Sequence, residues 1–245
     1  MDKVRLNKYL ASLGIASRRH IDELIEKNKV IVNGRKAVLG QKIDPLSDQV
    51  EVNGRNINHK KPNYIYIALN KPTGVISSTT DTHNRQTVLD LIDSDARLYP
   101  IGRLDYDSSG LILLTNDGDL SLKATHPRYH LPKTYLVTVE GRISPEKIFK
   151  LRHGVELEDG VTLPTQTSVI SQKNGRTNLK IQLREGRNRQ IRRMVAKLNL
   201  RIISLHRIAI GPIKLGELKA KEYRYLTLSE LALLKNFFTA KSPKR

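Results

Sequence analysis

Residues 101–118, IGRLDYDSSGLILLTNDG, decide how the chain is read. Leu98, Tyr99 and Ile101 form an apolar approach to a polar turn that holds Arg103, Asp105, Asp107, Ser108 and Ser109. The run Leu111 to Leu114 leads out of that turn, so the pattern predicts two buried strands joined by a polar loop. A carboxylate held between buried strands is a poised group. Asp, Ser and Gly nevertheless dominate ordinary turns, because they satisfy local hydrogen bonds. On this stretch alone a turn is the better reading of Asp105, and its company in the rest of the chain has to decide.

The chain has 245 residues, 38% of them hydrophobic, enough for one generous domain or two. Its apolar runs fall short of a membrane span, and MDKVRLNKYL carries charges where a signal peptide would be apolar, so a soluble, cytoplasmic protein with no membrane partner is expected. The absence of cysteine excludes disulfides, thiol catalysis and thiolate metal sites. No His or carboxylate spacing suggests a metal, and neither a Walker pattern nor G-x-G-x-x-G occurs, so no cofactor is expected. Lys and Arg number 43 against 24 Asp and Glu, a net charge of +19, and such a chain should seek polyanions. The excess is uneven: 13 basic and 7 acidic side chains in residues 1–61, 14 and 13 in 62–180, 16 and 4 in 181–245. Two basic ends therefore flank a nearly neutral centre.

Upstream of the opening stretch, Leu6, Tyr9, Leu10 and Leu13 share a helical face closed by Gly14. Ser17 is placed to cap a second helix with Ile21, Leu24 and Ile25 inside. VIVNGRKAV (30–38) and VEVNGRNI (50–57) each put Asn-Gly where a tight hairpin needs positive φ. The basic residues Arg5, Lys8, Arg18, Arg19, Lys27 and Arg35 cluster on the helices and their junctions and outline a phosphate-binding face. The stretch RLNKYLASLGIASRRHIDELIEKNKVIVNGRKA resembles the S4-type RNA-binding module, which implies binding to structured RNA through backbone and shape. HKKPN (59–63) reads as a linker, giving an S4-like domain over 1–61, a second domain over 62–238 and a disordered basic tail over 239–245.

In the second domain YIYIAL (64–69) reads as a strand ended by Asn70-Lys71-Pro72, 77–86 as a polar loop, and TVLDLI (87–92) as a short helix. Tyr135, Val137 and Val139 alternate with Leu136 and Thr138, as a half-buried strand requires. HPRYH (126–130) is a proline-punctuated loop, which leaves His126 and His130 little weight as acid or base. Ser144-Pro145-Glu146 opens a helix, Asn174-Gly175 turns a hairpin, and Thr227 with Glu230 forms a capping box for the last helix. LREGRNRQIRRMVAKL (183–198) carries Arg184, Arg187, Arg189, Arg192 and Arg193 over a helix whose apolar face is Ile191, Met194, Val195 and Leu198. Strands and helices mix without steady alternation, so the fold class expected is α+β: a small S4-type module followed by a mixed, largely antiparallel sheet domain.

GRLDYDSSGLILLTNDG, KTYLVTVEG, LREGRNRQIRRM and IGPIKL, in that order behind an S4-like module, resemble the RsuA/RluB-type pseudouridine synthases over nearly the whole chain. The resemblance implies a pseudouridine synthase acting on ribosomal RNA or a pre-ribosomal particle as a monomer, closer to the large-subunit relatives, and needing neither metal nor cofactor. It assigns catalysis to Asp105, coupled to Tyr135 and Arg192, with Arg103 as the wedge that replaces a flipped base and Ile191 packing on that base. Arg187 and Arg189 are expected to contact substrate. Asp105 either attacks C1′ or takes the C2′ proton to give a glycal. Asp107, Ser108 and Ser109 are expected to hold the turn. Relatives usually carry glycine a few residues before Y-R-x-L-T, where this chain has Lys221. The competing reading is a catalytically silent RNA-binding or ribosome-assembly protein, which would have no need of Asp105, Tyr135 and Arg192 together.

Overall fold

A computed structural model describes residues 3–57 and 63–240, so the expected linker lies outside the described residues except for Asn63. The described residues divide into two compact units: one holds those up to Tyr64 with Asp95–Arg97, the other the remainder.

In the first unit β1 (Val4–Arg5) leads into α1 (Leu6–Ser12), which buries Leu6, Tyr9 and Leu10. Gly14, at φ +81°, closes it: the Gly14 and Ile15 amides donate to Ala11 and Leu10, the double bond of a Schellman cap. Ser17 accepts from the His20 amide at 3.0 Å and starts α2 (Arg18–Glu26). The helices pack Leu10, Ile21 and Ile25 against Val30, Val32, Val50 and Val52. These valines belong to β2 (Val30–Val32) and β5 (Val50–Val52), which pair antiparallel and extend through the hairpins to β3 (Arg35–Lys36) and β6 (Arg55–Ile57), while β4 (Lys42–Ile43) pairs with β1. Both residues of each Asn-Gly turn have positive φ, between 52° and 75°, as the right-handed twist of a two-residue hairpin demands. Arg5, Lys8, Arg18, Arg19, Lys27 and Arg35 are all exposed.

The second unit is built on a nine-stranded sheet. Its strands are β7 (Tyr66–Lys71), β8 (Tyr99–Ile101), β9 (Ser109–Thr115), β10 (Lys133–Glu140), β13 (Gln166–Lys173), β14 (Arg176–Leu183), β15 (Ile202–Ile210), β16 (Ile213–Lys214) and β17 (Tyr223–Tyr225). The order is β13-β14-β10-β15-β9-β7-β17, with β8 on β9 and β16 on β15, and every pairing is antiparallel except β15 with β9. A separate hairpin joins β11 (Glu156–Leu157) to β12 (Gly160–Val161). Four helices complete the unit: α3 (Gly118–Thr125), α4 (Pro145–His153), α5 (Gln190–Lys197) and α6 (Leu228–Ala240). Leu111 and Leu113 of β9, Leu120 and Ala124 of α3, Ile210, and Leu234 and Phe238 of α6 make one core. Among the described residues no helix is long and apolar enough to cross a membrane.

Three expectations change. The first strand of this unit begins two residues later than expected and runs through Asn70 and Lys71, whose backbones pair with Leu111 and Gly110. Both polar side chains are buried because carbonyls meet them: Asn70 donates to Leu218 O at 2.8 Å, Lys71 to Pro72 O and Val75 O at 2.8 and 2.7 Å. The helix expected over 87–92 is a single 3-10 turn at Leu89–Leu91. The last helix continues through Ala240, into the segment expected as a tail, and 241–245 lie outside the described residues.

Two backbone positions carry predictions. Gly110 has φ +106°, and a Cβ there would stand 2.5 Å from Arg207 N and closer still to Arg207 O. No side chain fits where β9 meets β15, so Gly110→Ala is expected to cost roughly 4 kcal/mol or more, read from the urea midpoint. Lys221 has φ +72° and donates its amide to Asn70 O at 2.8 Å. Glycine adopts that left-handed conformation without strain, so Lys221→Gly should stabilise the protein by roughly 0.5–1 kcal/mol in the same assay.

Candidate active site

The loop from Gly102 to Ser108 joins β8 to β9 and is pinned from below. Ser77 Oγ donates to Leu104 O at 2.9 Å and accepts from Leu104 N at 3.0 Å, and Gly74 N donates to Tyr106 O at 2.8 Å. Asp105 stands on this loop with its side chain 31% exposed. Above it lies the start of α5. Arg189 Nη1 is 3.6 Å and Arg192 Nε 3.9 Å from Asp105 Oδ2, close enough for charge but too far for a hydrogen bond. Among the described residues the Asp105 carboxylate accepts no hydrogen bond from a side chain.

Asp107 takes the hydrogen bonds instead. Arg189 grips both its oxygens at 3.3 and 3.2 Å, and Arg192 Nη2 reaches Oδ1 at 3.1 Å, the Asp107 carbonyl at 2.9 Å and Ser108 Oγ at 3.1 Å. Burial pushes the Asp107 carboxyl up, but the Arg189 hydrogen bond and the charges of Arg192 and Arg189 outweigh it and hold the group below the usual carboxylate range. The expected Arg192–Asp105 bond is thus an ion pair without a hydrogen bond, since Arg192 Nη2 is engaged by the loop backbone and its buried Nε has no hydrogen-bond partner.

A cavity of about 440 Å³ opens beside Asp105, lined also by Arg103, Lys133, Tyr135, Ile191 and Arg207. The size is that of a small-ligand site. Arg103 is exposed, while Tyr135 and Ile191 are 8% and 4% exposed and present apolar surface. Arg187 borders the cavity too, yet its guanidinium points its donors elsewhere: to Asp159 O at 3.0 Å, Gly160 O at 2.8 Å, Val161 O at 2.7 Å and Glu185 at 3.1 Å. Arg193 joins it on Asp159 at 2.8 and 2.9 Å, so both arginines brace the β11–β12 hairpin against α5. His126 accepts from the Arg128 amide at 3.2 Å and so caps the 3-10 turn at Pro127–Tyr129. Among the described residues no three His, Cys, Asp or Glu side chains group as a metal site.

Two cations that line the cavity, Lys133 and Arg207, escaped the sequence reading, as did the buried Lys71 of β7. Arg207 is 2% exposed, and period two on β15 places it inward with Leu205, a signal that was available. Burial and the charge of Arg207 lower Lys71 to about 8 against the opposing pull of Asp105 and Asp107. Burial and Arg207 likewise lower Lys133 to about 8. From there to the ordinary lysine value of 10.5 the unfolded chain holds a proton that the folded one has lost, so this group makes stability rise with pH across that window. The stability advantage of the wild-type protein over Lys133→Met should therefore grow between about pH 8 and 10.5, measured by urea unfolding. A difference that stays flat would show that Lys133 is well solvated.

Residues 65–197 match the family of RNA pseudouridylate synthases, and residues 4–50 match the S4 domain. The ribosomal large subunit pseudouridine synthase B of Bacillus subtilis (strain 168) is 42% identical over 235 residues, covering 94% of this chain and 95% of that protein. The dual-specificity RNA pseudouridine synthase RluF of Escherichia coli (strain K12) is 39% identical over 246 residues, covering 98% of this chain and 83% of the relative. A crystal structure of a pseudouridylate synthase superimposes with a TM-score of 0.69 at 32% identity, covering 94% of this chain and 99% of that one. The chain belongs to the RNA pseudouridylate synthases, as an RsuA/RluB-type enzyme with an S4 domain ahead of its catalytic domain.

Proposed function

We propose that the protein converts one uridine of large-subunit ribosomal RNA to pseudouridine, with Asp105 as the group that acts on the sugar. One observation carries the assignment: a carboxylate at a cavity wall, flanked by two arginines at 3.6 and 3.9 Å and hydrogen-bonded to neither. The missing hydrogen bonds leave its lone pairs for a reactant. The large-subunit target rests on the name of the Bacillus subtilis relative, together with near full-length coverage of both chains.

The reaction breaks N1–C1′, turns the detached base, joins C5 to C1′ and removes the C5 proton. Asp105 serves it by bonding to C1′ or by taking the C2′ proton, and both routes need the same ionised oxygen beside the sugar. Tyr135 stacks on the base and assists removal of the C5 proton, and Ile191 packs against the base. Arg192 and Arg189 place positive charge beside Asp105. Arg103, exposed at the rim, wedges into the place that the uridine leaves. The S4-like domain, residues 1–61, grips RNA through Arg5, Lys8, Arg18, Arg19, Lys27 and Arg35, and residues 62–238 carry the chemistry. The enzyme works as a monomer in the cytoplasm, where its ribosomal substrate is assembled.

Asp105→Asn keeps the shape and removes the charge. It is expected to abolish pseudouridine formation while leaving RNA affinity within about threefold. Mapping pseudouridines in the ribosomal RNA of a deletion strain complemented with either form checks this. Turnover by the variant near the wild-type rate would sink the assignment.

A further inference from the structure

Arg207 is a buried cation without a counterion. It is 2% exposed, and among the described residues no carboxylate forms an ion pair with it. Nε donates to Leu111 O at 2.7 Å, and Nη1 lies 3.3 Å from Arg103 O and 3.5 Å from the Tyr135 hydroxyl. Nη2 is buried with no hydrogen-bond partner. An unpaired guanidinium nitrogen is costly to bury, and this one belongs to a side chain that lines the Asp105 cavity. Its neighbours deepen the imbalance: Arg103, Lys133, Arg184, Arg187 and Arg189 line the same cavity against the carboxylates of Asp105 and Glu185.

Such a site is built for negative charge that the resting protein does not supply. Asp105 is served by Arg189 and Arg192 from the α5 side, which leaves Arg207 over. A phosphodiester, with bulk on two sides, suits an open surface rather than a side chain this enclosed. The edge of a flat base suits it better, with Tyr135 beside it: the guanidinium carbon is 6.0 Å from the centre of that ring.

We propose that Arg207 is a catalytic residue that donates from Nη2 to a carbonyl oxygen of the uracil as it leaves C1′. When N1–C1′ breaks, the bonding pair goes to N1, and the resulting anion spreads onto O2 and O4. The sugar's matching positive charge is met by the Asp105 carboxylate, through a bond to C1′ or through loss of the C2′ proton. Rejoining through C5 breaks the Asp105–C1′ bond or returns the proton to C2′, the C5 proton is then released, and N1 takes a proton, so the product is neutral and isomeric with the substrate. A donor to O2 or O4 acts on charge that exists only once the bond is breaking, which places its effect on kcat rather than KM.

The inference rests on the Asp105 cavity being the site of isomerisation, and the test separates the two. Single-turnover cleavage of N1–C1′ is measured with target RNA carrying uridine or 5-fluorouridine at the modified position, for wild type, Arg207→Met, Arg207→Lys and Asp105→Asn. Fluorine stabilises the departing anion and lessens the need for a donor. Arg207→Met is expected to lose about 100-fold with uridine, as when a single transition-state donor is deleted, and less than about 10-fold with 5-fluorouridine, with unchanged RNA affinity. Arg207→Lys, which keeps the charge, should fall between and answers the same question if Arg207→Met does not fold. Equal losses on the two bases would overturn the proposal, because a side chain that merely props Tyr135 and the Arg103 backbone cannot sense the leaving group. Activity in Asp105→Asn would instead overturn the reading of the cavity.

Discussion

The site depends on one short contact, the parallel approach of β9 to β15 at Ser109–Gly110 and His206–Arg207. In the sheet order this pair joins β13-β14-β10-β15 to β9-β7-β17. Asp105 precedes β9 on one side of the join, and Tyr135 on β10 and Arg207 on β15 belong to the other. Only a glycine lets the strands come so close, because the Arg207 backbone fills the space of a Cβ at Gly110. The Arg207 side chain then bonds across the join to Leu111 O and Arg103 O. One residue thus locks the seam by its backbone and reaches the cavity by its side chain.

Electrostatics divide the labour between two nearby carboxylates. Asp107 absorbs the directional bonds of Arg189 and Arg192, which fixes the loop. Asp105, two residues away, receives the charge of the same arginines without their hydrogen bonds. Asp107 is thereby held as an anchor, while the Asp105 oxygens receive no hydrogen bond from either arginine. The arginine helix is itself anchored on Asp159 and Glu185 through Arg187 and Arg193, so the pair distances at Asp105 are set as far away as the β11–β12 hairpin.

Local chemistry made much of this legible in advance. Asn-Gly at 33–34 and 53–54, the caps at Ser17 and Ser144, the Thr227–Glu230 box and the alternation along 135–139 each express a preference satisfied within a few residues. The loop around Asp105 was legible only in combination with distant segments. Long-range satisfaction was not legible at all. Asn70 looked like the end of a strand because its buried amide needs a carbonyl that Leu218 supplies, 148 positions on. Arg187 looked free for substrate because its partners at 159–161 are more than two dozen residues away. Arg207 partners a carbonyl 96 positions back in the chain.

The same accounting revises where the positive charge works. A chain of net charge +19 with a basic last quarter reads as two RNA-gripping ends. Yet of the five arginines between 184 and 193, Arg187, Arg189, Arg192 and Arg193 are engaged by carboxylates within the protein. Arg207 is buried. Charge bound in this way adds to the long-range field but releases few counterions when RNA docks. Arg5, Arg18, Arg19, Lys27 and Arg35 of the first unit are exposed, and on the proposed reading they supply the salt-dependent part of RNA binding. Arg187, Arg189, Arg192 and Arg193 act over a few ångströms, on Asp105, Asp107, Asp159 and Glu185.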